Sequence, residues 1–396
     1  MKKLLALALC ICMVLTLCAC AGKAPETPAV PEASDTSAEK SVETQPKEKR
    51  DPVKIGVIFY SKDDALGRLV YSYLNYAAEV VENLEIQWAI GSFSADAQLA
   101  DAENLISAGV DGIMALTLDD VAMTQIAKTC NDNEVYFQVM FRKPASEETA
   151  AVLKTFPYYV GYAIEDTVAT AAQTIDILAG KGIKNIAVGG NSHSATSLLR
   201  MEGMQQGVQK NGTTIISEFD IGNDISSIQS DVQNILDTYK DVEAIWSMSG
   251  TNGIADIIIN TLRAHKDATG KTIGLMTFDS FEGMAQALND GFLYGAVSGQ
   301  APLCLQAFAA LYNAIDGTPL SDEKVELYFP YLIIASPEDL DFMEQYYNNP
   351  EIQLYDEEII KSMLVRYTPD VKMEALNEFW ASFSMDWIKQ EIASRG

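Results

Sequence analysis

The segment GLMTFDSFEGMAQALNDGFLYGAVSGQAP, residues 274–302, decides the fold. A short apolar run, TIGLMTFD (272–279), closes in Asp279, and an amphipathic stretch over 281–289 follows. LYGAVS (293–298) is short and apolar again, and a helical stretch covers 302–315. Runs of that length suit buried strands, and the stretches between them suit helices with one apolar face. Strand and helix in alternation predict parallel strands joined by right-handed crossovers.

Outward from this segment the same unit recurs. VKIGVIFY (53–60) precedes a helical run at 66–82, LEIQWAI (84–90) precedes 95–107, GIMALTL (112–118) precedes 119–131, and VYFQVMF (135–141) closes a first series. A second series starts at YYVGYAI (158–164) with a helix at 165–180. It continues through NIAVGG (185–190) with 195–210, TTIISEF (213–219) with 225–239, and EAIWSMS (243–249) with 251–265. Two series predict an α/β protein of two doubly wound, Rossmann-like lobes with parallel sheets. Beyond Ser336, EALNEFWASFSMDWIKQEI (374–392) sets Leu376, Phe379, Phe383, Trp387 and Ile388 near i, i+3, i+4 spacing. That spacing predicts one amphipathic helix, packed on the second lobe, with an exposed aromatic stripe for a partner as the alternative.

The N-terminal end is of another kind. Lys2 and Lys3 precede an apolar run from Leu4 to Leu17 that is short for a membrane span and flanked like a secretory signal. Residues 21–50 carry Pro25, Pro28, Pro31 and Pro46 among Glu, Lys, Ser and Thr, with no aromatic residue. They bury too little to offset the entropy of ordering and form a tether. No second run long enough to span a bilayer follows, which puts the folded part outside the membrane. A formal net charge of −27 and the want of a dense Lys/Arg cluster exclude a nucleic-acid or anionic-lipid face. Cys130 and Cys304 have neither redox nor zinc spacing and are expected as core thiols, with a disulfide as the alternative. His193 and His265 are too far apart to suggest a metal site, and no cofactor or metal is expected.

In open parallel sheets ligands settle at the carboxyl ends of the strands. The candidate residues there are Tyr60, Asp64, Asp119 and Arg142 in the first lobe. In the second they are Asn191, Arg200, Ser249, Asn252, Asp279 and Gln300. Singly, Asp119, Ser192 and Thr251 would also serve as helix N-caps; together these strand ends line one crevice if the lobes face each other. The chain has no GxSxG elbow and no Walker loop, and AVGGNS after the 185–190 strand lacks the lysine of one. Asp119 with Asp279 would be the carboxylate pair for glycosidase chemistry, and the expectation is that the protein is not an enzyme.

The stretches IGVIFYSKDDALGRLVYSYLNYAAE (55–79), LISAGVDGIMA (105–115), RMEGMQQGVQ (200–209) and the opening segment resemble the type I periplasmic binding proteins. Within them the likeness is to the ribose- and galactose-binding group serving ABC transporters, over about residues 53–335. Leu17-Cys18-Ala19-Cys20 resembles the lipobox of bacterial lipoproteins, with 1–19 cleaved as signal, Cys20 carrying the lipid anchor and 20–51 as the tether. An ordinary cleavage site that contains cysteines is the alternative. The resemblance implies two lobes joined by a hinge of three strands, the first over 52–142 plus 300–325, the second over 143–299 plus 326–396.

Position by position, Arg142 matches the family's arginine that holds sugar hydroxyls, Asp279 its aspartate, Gln300 its glutamine before Pro, and Arg200 its helix-borne arginine. Ser249 stands where the family has Asn. The loop after the first strand lacks the family's Asn and paired aromatics, so stacking would fall to Tyr60, Trp246 or Phe281. Lys62 and Arg68 in that loop leave open an anionic ligand. The resemblance implies a monomeric, lipid-anchored, extracytoplasmic protein on the outer face of the cell membrane. It would capture a small solute, a sugar foremost, by hinge closure and deliver it to the permease subunits of an ABC transporter. A nucleoside or other polar ligand, and sensing for a chemoreceptor or kinase, are the alternatives.

Overall fold

The computed structural model describes residues 52–190, 195–222 and 225–395. Cys20 and the tether, Asn191 and His193 lie outside the described residues.

The strands are β1 (Val53–Phe59), β2 (Leu84–Ile90), β3 (Gly112–Ala115), β4 (Tyr136–Met140), β5 (Tyr159–Glu165), β6 (Asn185–Gly190), β7 (Thr214–Asp220), β8 (Ala244–Ser247), β9 (Gly274–Phe278), β10 (Leu293–Ser298), β11 (Val325–Phe329) and β12 (Leu332–Ile334). The helices are α1 (Ala65–Val80), α2 (Ala95–Ser107), α3 (Asp120–Asp132), α4 (Glu147–Lys154), α5 (Thr167–Gly180), α6 (Ala195–Asn211), α7 (Ile228–Thr238), α8 (Ile254–Thr269), α9 (Met284–Asn289), α10 (Leu303–Ile315), α11 (Pro337–Phe342), α12 (Glu357–Ser362), α13 (Met373–Ala381) and α14 (Met385–Ser394). They build two six-stranded sheets, ordered β11-β5-β4-β3-β1-β2 and β12-β10-β9-β8-β6-β7. All pairings are parallel except β10 with β12.

The period of two along β1 shows why the chain folds this way. Val57 and Phe59 enter a core shared with α1 and α10, while Ile58 enters a second core with Ala102, Met123, Ile126 and Cys130 on α2 and α3. Both faces of the sheet are thereby covered, which is what its nearly continuous apolar strands require. Cys130 and Cys304 are free thiols in the two separate cores, and burial pushes the Cys130 thiol up to about 12.

Three connections carry the chain between the sheets: Glu165 to Thr167, Ser298 to Leu303, and Phe329 to Leu332. The first and third are tied together where the Asp166 amide donates to the Phe329 carbonyl at 2.8 Å.

The lobe boundaries expected at 143 and 326 need correction. β5 pairs with β4 and with β11 inside the first sheet, and α4 packs on α3, so the second lobe begins after Glu165. Gly161, at φ +151°, makes the β5–β11 pairing possible, because a Cβ there would meet the Val325 carbonyl oxygen at 2.0 Å. Alternation of strand and helix says nothing about which sheet a strand joins, and that is where the expectation failed.

The C-terminal segment also departs from expectation. Ser384 accepts from the Trp387 amide as an N-cap and splits the expected helix into α13 and α14. These pack on the first lobe, with Trp380 and Phe383 against Phe329 at 5.5 and 4.8 Å between ring centroids, and Tyr355 against Tyr73 at 5.5 Å. α11 leans on α9 of the second lobe, and Lys389 of α14 reaches its Asp339 at 2.7 Å.

In the second lobe α6 lies unusually close to α5. A Cβ on Gly203 would meet the Val168 carbonyl oxygen at 2.1 Å, and one on Gly207 would meet that of Ala172 at 2.8 Å.

The extension is fastened to α10 by Arg366, which holds the buried Asp316 carboxylate at 2.6 Å. Removing one partner of a buried pair leaves the other charge uncompensated. Asp316→Ala is expected to lower unfolding stability by about 3 kcal/mol or more in denaturant titrations. Lys361→Ala, which breaks a surface pair with Glu357, is expected to leave the same titration nearly unchanged.

Candidate functional site

Both sheets aim the carboxyl ends of their strands at one cleft, a cavity of about 580 Å³. Tyr60, Leu66, Leu116, Phe141 and Arg142 face it from the first lobe, and Leu198, Leu199 and Arg200 of α6 from the second. Its floor comes from the crossings themselves: Glu165 and Thr167 from the first, Gln300 from the second, Tyr331 from the third.

Arg200 is the most constrained side chain there. Its guanidinium, 11% exposed, makes a forked pair with Asp279 at 3.2 and 3.3 Å and donates to the Met248 carbonyl at 2.7 Å. It also lies 4.3 Å from the Phe278 ring centroid, while its Nε has no partner among the described residues. Asp279 takes the left-handed conformation, φ +69°, and accepts from the Ser249 hydroxyl at 3.2 Å. Ser249 in turn shares a hydrogen bond of 3.0 Å with Thr251.

Glu165 ends β5 close to these charges. Burial raises its carboxyl above the ordinary range, offset in part by Arg142 and Arg200. Tyr331 lies within hydrogen-bond reach of Arg200; burial above all, and then the Glu165 charge, keep its hydroxyl protonated well beyond the usual range. Burial and a hydrogen bond to Asp64 act the same way on Tyr60.

The structure brings Tyr60, Arg142, Arg200 and Gln300 to the cavity wall, with Asp279 and Ser249 directly behind Arg200. Asp64 caps α1 by accepting from the Gly67 amide at 2.6 Å while holding Tyr60. Asp119 is an exposed N-cap of α3, accepting from the Ala122 amide at 2.8 Å, and Asn252 is exposed in a left-handed turn before α8; neither faces the cavity. Trp246 is core, donating to the Thr174 hydroxyl at 2.9 Å, so stacking cannot pass to it. Lys62 and Arg68 face a separate shallow depression between α1 and Pro350, away from the cleft.

Sequence reasoning missed Glu165 and Tyr331. Glu165 directly follows the apolar run of β5, and that strand end was the signal available. Among the described residues no group of three or more His, Cys, Asp or Glu stands where it would hold a metal ion.

A family profile described as "Periplasmic binding protein domain" matches residues 55–319. The chain belongs to that family of periplasmic binding proteins. Family membership carries an extracytoplasmic location for the folded part and a class of solute-binding proteins rather than enzymes. No curated protein matches the sequence. Among solved structures, one that resembles this binding protein is an ABC transporter solute binding protein from Bacillus halodurans with bound myo-inositol. It is 18% identical with a TM-score of 0.54, over 74% of this chain and 98% of that one. A periplasmic solute binding protein from Actinobacillus succinogenes with bound D-allose gives 13%, TM-score 0.57, 73% and 99%. The fructose-binding periplasmic domain of a hybrid two-component system gives 15%, TM-score 0.54, 74% and 94%. At these identities the likeness is one of fold, and it is the two-lobed type I architecture described above.

A pH prediction follows for this binding protein from Glu165. Its folded pKa is raised, so its protonated form stabilises the fold fully below about pH 4.3, and that contribution is lost as pH rises through the folded pKa. Glu165→Gln is therefore expected to raise the melting temperature at pH 7 and leave it nearly unchanged at pH 4, as scanning calorimetry at the two pH values would read.

Proposed function

We propose that this protein is an extracytoplasmic solute-binding lipoprotein that captures a small solute, a sugar foremost, by hinge closure and delivers it to an ABC transporter. The observation that carries the reading is the composition of the cleft floor, where Glu165, Thr167, Gln300 and Tyr331 all belong to the segments that cross between the lobes. A molecule seated there touches the hinge and both lobes at once, so its contacts favour the closed arrangement over the open one. Guanidinium and carboxylate groups suit hydroxyl-rich ligands, since one offers several donors and the other accepts several. Sugars and inositols bound to structurally similar proteins add to that choice.

In this reading Cys20 bears the lipid, and acyl chains anchor the tether to the outer face of the membrane. The permease subunits recognise the closed lobes of a monomer. A sensor role, with the closed lobes presented to a chemoreceptor or kinase, draws on the likeness to a two-component periplasmic domain. Permease and ATPase genes beside this one would favour transport.

Binding is tested by thermal shift of the purified protein with pentoses, hexoses, inositols and nucleosides. A ligand at a hundred times its dissociation constant adds about 2.7 kcal/mol to the native state, and a rise of several degrees is expected for a sugar or inositol. A response to nucleosides alone would replace the sugar with that class. For the anchor, Cys20→Ala is expected to move the protein from the membrane pellet to the supernatant; continued sedimentation with membranes would remove the lipoprotein assignment.

A further inference from the structure

The charges around the cleft are not those of the chain as a whole. The molecule carries 55 acidic against 28 basic residues, yet among the described residues the cavity wall presents Arg142, Lys143 and Arg200 against the one carboxylate of Glu165. Asp279 satisfies Arg200 from behind, and Asp64 is engaged with Tyr60 and the α1 N-terminus.

Arg142 is left over, and Lys143 beside it is shared with Glu326. Elsewhere Arg200, Arg263, Arg366 and Arg395 each hold a carboxylate. Among the described residues none stands at ion-pair distance from Arg142, whose one hydrogen bond runs to the Phe141 carbonyl at 2.7 Å. Its guanidinium is exposed toward the cavity at the end of β4, with Lys143 beside it. In a chain so rich in acids, an arginine with no carboxylate at ion-pair distance among the described residues, at the mouth of a binding cleft, marks a place where the ligand brings the negative charge; Lys143 beside it also feels Glu326 on its other side. A guanidinium suits a carboxylate or phosphate bidentately, and the neighbouring ammonium adds a point charge.

The rest of the wall agrees. It is aliphatic through Leu66, Leu116, Ile164, Leu198 and Leu199, and of the aromatic rings among its described residues Phe141 and Tyr331 are buried and Tyr60 is a partly open face. A site with little aromatic surface to stack on a sugar ring discriminates by charge instead.

We infer that the cleft takes an anionic ligand, a sugar or cyclitol bearing a carboxylate or phosphate, with Arg142 as the group that reads the anion. This rests on the sugar-binding reading above and narrows it.

The test is calorimetric titration of the purified protein with matched pairs: D-glucose and D-glucuronate, D-galactose and D-galacturonate, D-ribose and ribose 5-phosphate, myo-inositol and its monophosphate. The expected result is at least tenfold tighter binding of an anionic member than of its neutral partner, weakening steadily as salt rises from about 0.05 to 0.5 M. Whether the uronate or the phosphate members respond identifies the anion. Arg142→Gln, at an exposed side chain, is expected to keep its melting temperature and reduce the preference for the anion at least tenfold. Equal binding of neutral members, indifferent to salt and to Arg142→Gln, would overturn the inference and leave the sugar reading standing. Silence from both halves of the panel would overturn the sugar reading and this inference with it.

Discussion

A guanidinium cannot be taken out of water without a carboxylate to meet it, and the second lobe is arranged around that requirement at Arg200. The backbone at Asp279 turns left-handed to present the carboxylate, the Met248 carbonyl takes a further hydrogen bond, and the Phe278 ring lies against the cation's face. Each of these groups sits at the carboxyl end of a strand, β8 or β9, where a parallel sheet leaves its polar backbone and loop groups free to act. The pair holds together two strand ends and one helix start that would otherwise be independent loops, and so makes one wall of the cleft rigid.

The opposite wall follows a different rule. Arg142 follows β4 outside any ion pair among the described residues, with the Glu165 charge in its neighbourhood, and Tyr60 is tied to Asp64 at the start of α1. One lobe thus offers a preformed ion pair and the other an arginine held in none. Between them the floor is chain that changes lobes, with the Asp166–Phe329 hydrogen bond joining two of its three passages. Polar chemistry, hinge and cavity occupy the same few residues, which is an economical way to make occupancy felt by the whole molecule.

The alternation of strands and helices was legible because periods of two and of about three and a half leave different marks in an apolar pattern, and β1, β6 and α2 fall where that pattern places them. What the pattern lacks is partnership. β5 has the same apolar character whichever sheet it joins, and only Gly161, which alone admits the Val325 carbonyl, marks its true neighbour. The same gap hid Glu165 from the candidate residues and sent the C-terminal helices to the wrong lobe. Asp119 illustrates the reverse error: an acid just after a strand also sits just before a helix, and here the helix amide claimed it. Tyr331 lies in the short connection between β11 and β12, beyond the last strand–helix unit, where the recurring pattern gives no cue.

The glycines of α6 reach further than their position suggests. Gly203 and Gly207 let that helix rest on the backbone of α5, and Arg200 rides the same rod less than one turn ahead. The depth to which the guanidinium enters the cleft is therefore gauged by the distance between two helices, against carbonyl oxygens the cavity never meets. Even one methyl group at position 203 would shim the rod outward and lift Arg200 from Asp279, so the calibration of the binding wall is kept by a hydrogen atom on a surface facing the other way.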